Sequence, residues 1–173
     1  GWTIEVWAER AKKTLVEMDH VLFDDAAAFS PESLSAWQTP AYRGARLIPE
    51  EPVEVFRDEL FRVVRWQPSS TDAQDGLTGT EGFTETMRGL ADAWSDFDDI
   101  RYEFKVVRSI LSAENLLETH QLVAISGQSA DRSLEQHAKW ITEWEIVPGS
   151  GKLRLRSARL ADFEQTTSNS GRP

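Results

Sequence analysis

The sequence predicts an α+β domain in which helices cover one face of an antiparallel sheet. Two observations predict it. From Asp99 to Phe163, four consecutive stretches alternate apolar and polar side chains, as strands with one buried face do. The segments before them carry apolar side chains at helical spacing. We therefore expect a cone-like curled sheet, made of a four-strand meander and a short hairpin, with three or so helices packed on its concave face.

The turns between the four strands predict which residues are neighbours across the sheet. Turns at Ser112 and Ala113, near Asp131, and at Gly149 and Ser150 fix three registers. The predicted pairs are Val106–Thr119, Phe104–Gln121 and Tyr102–Val123; then Thr119–Trp144, Gln121–Thr142 and Val123–Trp140; and finally Trp144–Leu155, Thr142–Ser157 and Trp140–Arg159. All three registers place aromatic and aliphatic side chains on one face. Charged side chains, such as Glu143 opposite Arg156, then fall on the other face.

The segments before the meander supply the helices and the hairpin. The first helix is capped by Thr3, and its apolar positions are Ile4, Trp7, Ala11, Leu15, Met18 and Leu22. A helical stretch follows at 23–29, and another begins at Ser30-Pro31-Glu32 and stops before Pro40. Residues 38–52 are predicted to be a loop and 68–82 a mobile loop. Residues 53–66 are predicted to form a hairpin that turns at Asp58 and Glu59, and a single helical turn there is the alternative. The last helix carries Phe83, Met87, Leu90, Ala91, Trp94 and Phe97 on one stripe.

Composition excludes several classes of function. The chain has 173 residues, enough for one domain, and its net charge of -10 argues against binding to nucleic acid. No run approaches the roughly 18 apolar residues of a membrane span. The chain has no cysteine, which excludes disulfides, thiolate zinc sites and a cysteine nucleophile. Asp96, Asp98 and Asp99 lack the spacing of a calcium loop, so we expect no metal and no cofactor.

This order of elements resembles that of the nuclear-transport-factor-2-like folds, which include SnoaL-like and ketosteroid-isomerase-like proteins. The stretches VEVFRDELFRVVRW, YEFKVVRS, EQHAKWITEWEI and LRLRSARLADFEQ also resemble the amino-terminal module of bacterial exported proteins that continue into FG-GAP or VCBS repeats. The resemblance to the nuclear-transport-factor-2-like folds covers residues 1–165. The resemblance to the exported proteins implies an extracytoplasmic accessory domain, in which the polar residues 166–173 form a linker to a C-terminal neighbour domain.

A cone of this kind encloses a pocket lined by the inward-facing side chains. The predicted pocket residues are Tyr102, Phe104, Gln121, Trp140, Thr142, Trp144, Ser157 and Arg159. They predict a small ligand that is apolar, or that carries a carboxylate for Arg159 to bind. In the alternative interpretation Gln121, Thr142 and Ser157 satisfy one another, Arg159 pairs with a helix acid such as Asp19, and the tryptophans are core.

The inner face of the predicted strands carries no Asp, Glu or His, which argues against proton-transfer chemistry. We therefore expect a non-catalytic module for ligand binding or assembly. The alternative is an enzyme of the isomerase or dehydratase kind, with Asp19 or His20 as a base at the pocket mouth. Adjacent helical residues point about 100° apart, so at most one of the two reaches the pocket. A homodimer is also predicted, through an apolar patch on the outer face that comprises Leu122, Ala124, Ile141, Ala158 and Leu160.

Overall fold

The computed structural model of the chain describes residues 3–24, 31–68, 76–113 and 115–169. Its helices are α1 (Ile4–Asp24), α2 (Pro31–Leu34, continued by a 3-10 turn at Ser35–Trp37) and α3 (Gly79–Asp92). Its strands are β1 (Gln38–Gly44), β2 (Val53–Arg57), β3 (Phe61–Trp66), β4 (Leu77–Thr78), β5 (Asp98–Ala113), β6 (Leu116–Gln128), β7 (Arg132–Val147) and β8 (Lys152–Asn169). The fold is α+β, with two long helices instead of three or so. The predicted helical stretch at 23–29 overlaps the end of α1, and its residues 25–29 lie outside the described residues.

The strands form one open sheet of 8 strands, in the order β2-β3-β8-β7-β6-β5. The predicted meander is β5 to β8, and the predicted hairpin is β2 with β3, so both are confirmed. The predicted loops at 38–52 and 68–82 are wrong in part, because the first contains β1 and the second contains β4 and the start of α3. β1 pairs in parallel with β8 and antiparallel with β4. It shows no simple apolar alternation, because it buries the polar side chains of Gln38 and Thr39.

The two long helices bury their predicted stripes in one core. On α1, Ala11, Leu15, Met18 and Leu22 are buried, and Thr3 Oγ1 accepts a hydrogen bond from the Val6 amide at 3.4 Å. On α3 and the turn after it, the buried side chains are Phe83, Met87, Leu90, Trp94 and Phe97. All of these pack with side chains from the meander in a single cluster. One face of the sheet is therefore covered by helices, as the sequence predicts.

The predicted registers of β6 are displaced by two residues on both sides. Phe104 lies opposite Val123 and not Gln121, and Thr119 lies opposite Thr142 and not Trp144. The turns fall elsewhere than predicted, and bulges in β5 add further residues. A displacement of two preserves the side-chain parity of a strand, so the predicted inner face of β6 is unchanged.

Two bulges in β8 change the faces of its middle part. Trp144 lies opposite Leu155, as predicted. The register then shifts between Glu143 and Trp144, so the predicted pairs Thr142–Ser157 and Trp140–Arg159 are wrong. The observed pairs are Glu143–Ser157, Thr142–Ala158, Ile141–Arg159 and Trp140–Leu160. A second shift, between Lys139 and Trp140, restores the original parity.

The same bulges correct the outer face. Ala158 and Leu160 are buried in the core, so they cannot belong to the predicted dimer patch. The homodimer stays a prediction that rests on Leu122, Ala124 and Ile141. β8 also runs to Asn169, and Thr166 to Ser168 pair with β3, so the predicted linker begins too early at residue 166.

Two of the three glycines of α3, Gly82 and Gly89, provide a matched pair for testing the packing of this helix. A Cβ at Gly82 would lie 2.4 Å from the backbone carbon of Leu77, whereas a Cβ at Gly89 would meet nothing within 4 Å. We expect Gly82→Ala to destabilise the fold by about 1–3 kcal/mol through overpacking. Gly89→Ala should stabilise it by about 0.5–1 kcal/mol through helix propensity. Urea denaturation measures both changes, and equal effects of the two substitutions would contradict the close approach of α3 to β4.

Candidate functional site

The candidate site is centred on Asp19, a buried acid on the inner face of α1. Asp19 lies one turn after Leu15 and one turn before Leu22, so the helix carries it into the core with them. Its side chain is 2% exposed, and its Oδ2 atom has no hydrogen-bond partner. Burial raises the pKa of the Asp19 carboxyl well above its usual value, and the nearby charge of Asp24 raises it further.

The neighbouring candidate, His20, points away from the core. Its side chain is 65% exposed, and its Nδ1 atom lies 2.9 Å from Asp24 Oδ2. The same Asp24 oxygen accepts a hydrogen bond from the Tyr102 hydroxyl at 3.0 Å. Burial, followed by this hydrogen bond, raises the pKa of Tyr102 to about 12, so the hydroxyl keeps its proton. Of the two acid or base candidates in the sequence, only Asp19 faces inward.

Aromatic side chains from β5 and β7 form the wall next to α1. The rings of Phe23 and Tyr102 are 5.8 Å apart, and those of Phe104 and Trp140 are 5.7 Å apart. Trp140 is 3% exposed, and its indole Nε1 has no hydrogen-bond partner. A buried donor on Trp140 therefore accompanies the buried acceptor on Asp19, and Trp140 belongs to the same core cluster as Leu15, Met18 and Leu22 of α1.

A fully buried polar network lies beside this wall, on the inner face of β6 and β7. Trp144 Nε1 donates to Thr119 Oγ1 at 3.0 Å, and the Thr119 hydroxyl donates to Gln121 Oε1 at 2.7 Å. Gln121 Nε2 donates to the Trp140 carbonyl and to Thr142 Oγ1, each at 3.1 Å. The Thr142 hydroxyl lies 2.8 Å from Thr119 Oγ1 and can donate to it. Every side-chain donor in this network therefore has an acceptor. Thr119 occupies the position beside Gln121 and Thr142 that was predicted for Ser157.

All of the predicted pocket residues except Ser157 and Arg159 lie on the inner face. Arg159 is exposed on the outer face, opposite Ile141, so its predicted contacts with Trp140 and with Asp19 do not form. No ion pair joins Asp19 to any Lys, Arg or His of the described residues. The acid therefore lies in the core without a compensating charge. Its position on the apolar stripe of α1 was the signal in the sequence.

Comparison with solved structures identifies the fold. A candidate scytalone dehydratase from Novosphingobium aromaticivorans aligns over 95% of this chain and 93% of its own, with 12% identity and a TM-score of 0.58. A type 2 hexachlorocyclohexane dehydrochlorinase (LinA) aligns over 95% and 91%, with 12% identity and a TM-score of 0.54. This chain has the nuclear-transport-factor-2-like cone fold. The LinA type 3 enzyme of Novosphingobium barchaimii LL02 also aligns over 95% and 92%, with 14% identity and a TM-score of 0.50.

The nuclear-transport-factor-2-like fold thus accounts for almost the whole chain, and at these identities the likeness defines the fold alone. No family model matches the sequence, and no curated protein matches it. No helix in the described part of the chain has the length and apolarity that crossing a membrane requires.

Removing the hydroxyl of Thr119 tests the buried network. Thr119→Val leaves Trp144 Nε1 without its acceptor and Gln121 Oε1 without its 2.7 Å donor. We expect a loss of about 1–3 kcal/mol in the free energy of unfolding, measured by urea denaturation. Thr78→Val is the control, because Thr78 is exposed and its side chain makes no capping hydrogen bond. Equal denaturation midpoints for the two variants would contradict the network.

The buried acid predicts how stability depends on pH. Because the folded state raises the pKa of Asp19, the folded protein holds this proton more tightly than the unfolded chain does. Stability should therefore fall as pH rises from about 4, the value in unfolded chains, through the raised value. Asp19→Asn cannot titrate and should be more stable than wild type at pH 7.

Urea denaturation between pH 4 and pH 8 measures this difference, which should shrink as the pH approaches 4. Glu9→Gln, on the exposed side of the same helix, is the control and should show no such trend. A wild type that is more stable than Asp19→Asn at pH 7 would mean that the Asp19 carboxylate is compensated after all.

Proposed function

We propose that this protein binds a small organic molecule inside the cone, with Asp19 as the polar anchor. The observation that carries the proposal is the buried carboxyl of Asp19, which has no partner at Oδ2. The unpaired indole donor of Trp140, on β7, supports it as a second buried polar atom without a partner. A matching ligand presents a hydrogen-bond donor to Asp19 and an apolar ring to Tyr102 and Phe104.

The contrast with the neighbouring network supports a functional role for Asp19. Thr119, Gln121 and Thr142 show that this core can satisfy buried polar groups with its own side chains. An ionisable group left without such partners costs several kcal/mol when it is charged, and such groups concentrate at functional sites. Since Arg159 lies outside the cone, a ligand carrying a hydrogen-bond donor fits the site better than one carrying a carboxylate.

A second candidate function is proton transfer of the isomerase or dehydratase kind. The raised pKa of Asp19 favours it, because a more basic carboxylate removes protons from carbon more readily. Asp19 would take the proton and become a carboxylic acid, while the C–H electron pair forms a double bond and a leaving group departs. Two structural neighbours carry the names of a dehydratase and a dehydrochlorinase. The inner faces of the described parts of β5 to β8 carry no Asp, Glu or His to assist this step, so binding comes first.

The sequence also predicts the cellular location of the domain and a neighbouring domain. The resemblance to the accessory module of larger exported proteins rests on short stretches of sequence. A place beside a C-terminal neighbour domain, outside the cytoplasm, therefore stays a prediction. A domain that binds a ligand through Asp19 is compatible with that location, since an accessory domain acts by binding and not by catalysis.

Ligand-observed NMR with a panel of ring alcohols and ring amides tests the binding function. Compounds that bind the wild type should bind Asp19→Ala about tenfold more weakly, because a buried hydrogen bond to the carboxyl is lost. Asp19→Asn keeps an acceptor oxygen and should retain part of the affinity. Glu9→Ala should behave as wild type. Binding that is indifferent to Asp19→Ala would overturn the proposal.

The same samples separate binding from catalysis. Cyclohexanone incubated with the protein in D2O reports proton exchange at the carbon next to the carbonyl. For a binding protein, wild type and Asp19→Asn should exchange it equally slowly. Exchange that is rapid in wild type and absent in Asp19→Asn would replace the binding function with the proton-transfer function.

A further inference from the structure

A positively charged groove lies beside α1, next to the turn of the β7–β8 hairpin. It is a cavity of about 500 Å³ between α1, the 3-10 turn and the β7–β8 hairpin. Two cations come from α1, Arg10 and Lys13, and two from β8, Lys152 and Arg154. The indole of Trp37 forms part of the wall. A volume of this size suits a small organic molecule.

Local backbone geometry brings these cations together. Arg10 and Lys13 are separated by about one helical turn, so they share one side of α1. Lys152 and Arg154 are two residues apart on β8, so they point to the same side of the strand. The hairpin that carries them reverses at Gly149 and Gly151, whose φ angles of 74° and 68° favour glycine.

The charge of this groove runs against the composition of the chain. The protein has 19 Lys and Arg against 29 Asp and Glu, yet Glu17 is the one acid among the residues that line the groove. Several exposed arginines elsewhere pair with acids, as Arg46 does with Glu50 and Arg65 with Glu164.

Three of the four groove cations, Lys13, Lys152 and Arg154, differ from those paired arginines. Within the described part of the chain, no ion pair involves Lys13, Lys152 or Arg154. Arg154 stays unpaired even though Glu145 is its cross-strand neighbour. Their charges are therefore available to a ligand.

We propose that this groove binds a small phosphate-bearing molecule with an aromatic ring. Lys152 and Arg154 hold the phosphate with Lys13, since several converging cations suit a dianion better than a single carboxylate. The ring packs against Trp37. A long polyanion is disfavoured by the net charge of -10, whereas a single phosphate fits within one patch. The site is separate from the cone and does not depend on the function proposed for Asp19.

Calorimetric titration with phenyl phosphate tests the proposal, and inorganic phosphate and benzyl alcohol separate the contributions of charge and ring. Phenyl phosphate should bind more tightly than inorganic phosphate, and benzyl alcohol should not bind. The double variant Lys152→Gln/Arg154→Gln should bind phenyl phosphate about tenfold more weakly or worse. The matched control is Arg101→Gln/Lys105→Gln, which removes two exposed cations from β5 and should change the affinity less than about twofold.

Two further variants locate the ligand. Trp37→Ala should reduce the affinity for phenyl phosphate to that for inorganic phosphate, and Asp19→Ala should leave it unchanged. The proposal is overturned if the two double variants weaken binding equally, if phenyl phosphate does not bind, or if benzyl alcohol binds as well. Binding to vesicles that contain phosphatidate, without binding to phenyl phosphate, would assign the groove to a lipid headgroup and also overturn it. Urea denaturation midpoints check that each variant is folded.

Discussion

Two bulges in β8 decide which side chains of the last strand face the helices. The first follows Leu155 and turns Ala158 inward in place of Ser157. It also moves Arg159 to the outer face, where it is exposed. Because side chains alternate strictly along a strand, one extra residue is enough to exchange an arginine for an aliphatic side chain in the core. As a result of this exchange, Arg159 does not lie inside the cone beside Asp19.

Without an inward arginine, Asp19 has no compensating charge among the residues that the structure describes. In an interior of low dielectric the carboxyl holds its proton more tightly, and its free oxygen is a costly buried acceptor. The satisfied network of Thr119, Gln121 and Thr142 on the adjoining strands makes the contrast clear. The groove beside α1 is lined by cations, whereas the core contains an acid. The same helix thus presents an acid to the core and two cations, Arg10 and Lys13, to the groove.

Regular periodicity made most of the fold predictable. The stripe of α1 and the alternation along β5 each follow one period, so burial could be inferred directly from spacing. The middle of β8 could not be inferred in this way, because bulges interrupt the period. A signal was nevertheless present: Leu153, Leu155, Ala158, Leu160 and Phe163 are all buried, and their spacing alternates between two and three residues. β1 could not be predicted from alternation, because it buries polar side chains. The unpaired state of Asp19 could not be predicted either, because the regular period of β8 places Arg159 on the inner face.

The proposed site depends on the uncompensated carboxyl of Asp19 inside the cone. The titration of that carboxyl tests the site most directly. Carbon-13 NMR of the aspartate carboxyl groups, with Asp19 assigned by its absence in Asp19→Asn, gives the pKa in the folded protein. The account predicts a midpoint well above the usual value of about 4. A midpoint at or below that value would show that Asp19 is solvated or paired, and would contradict the proposed site.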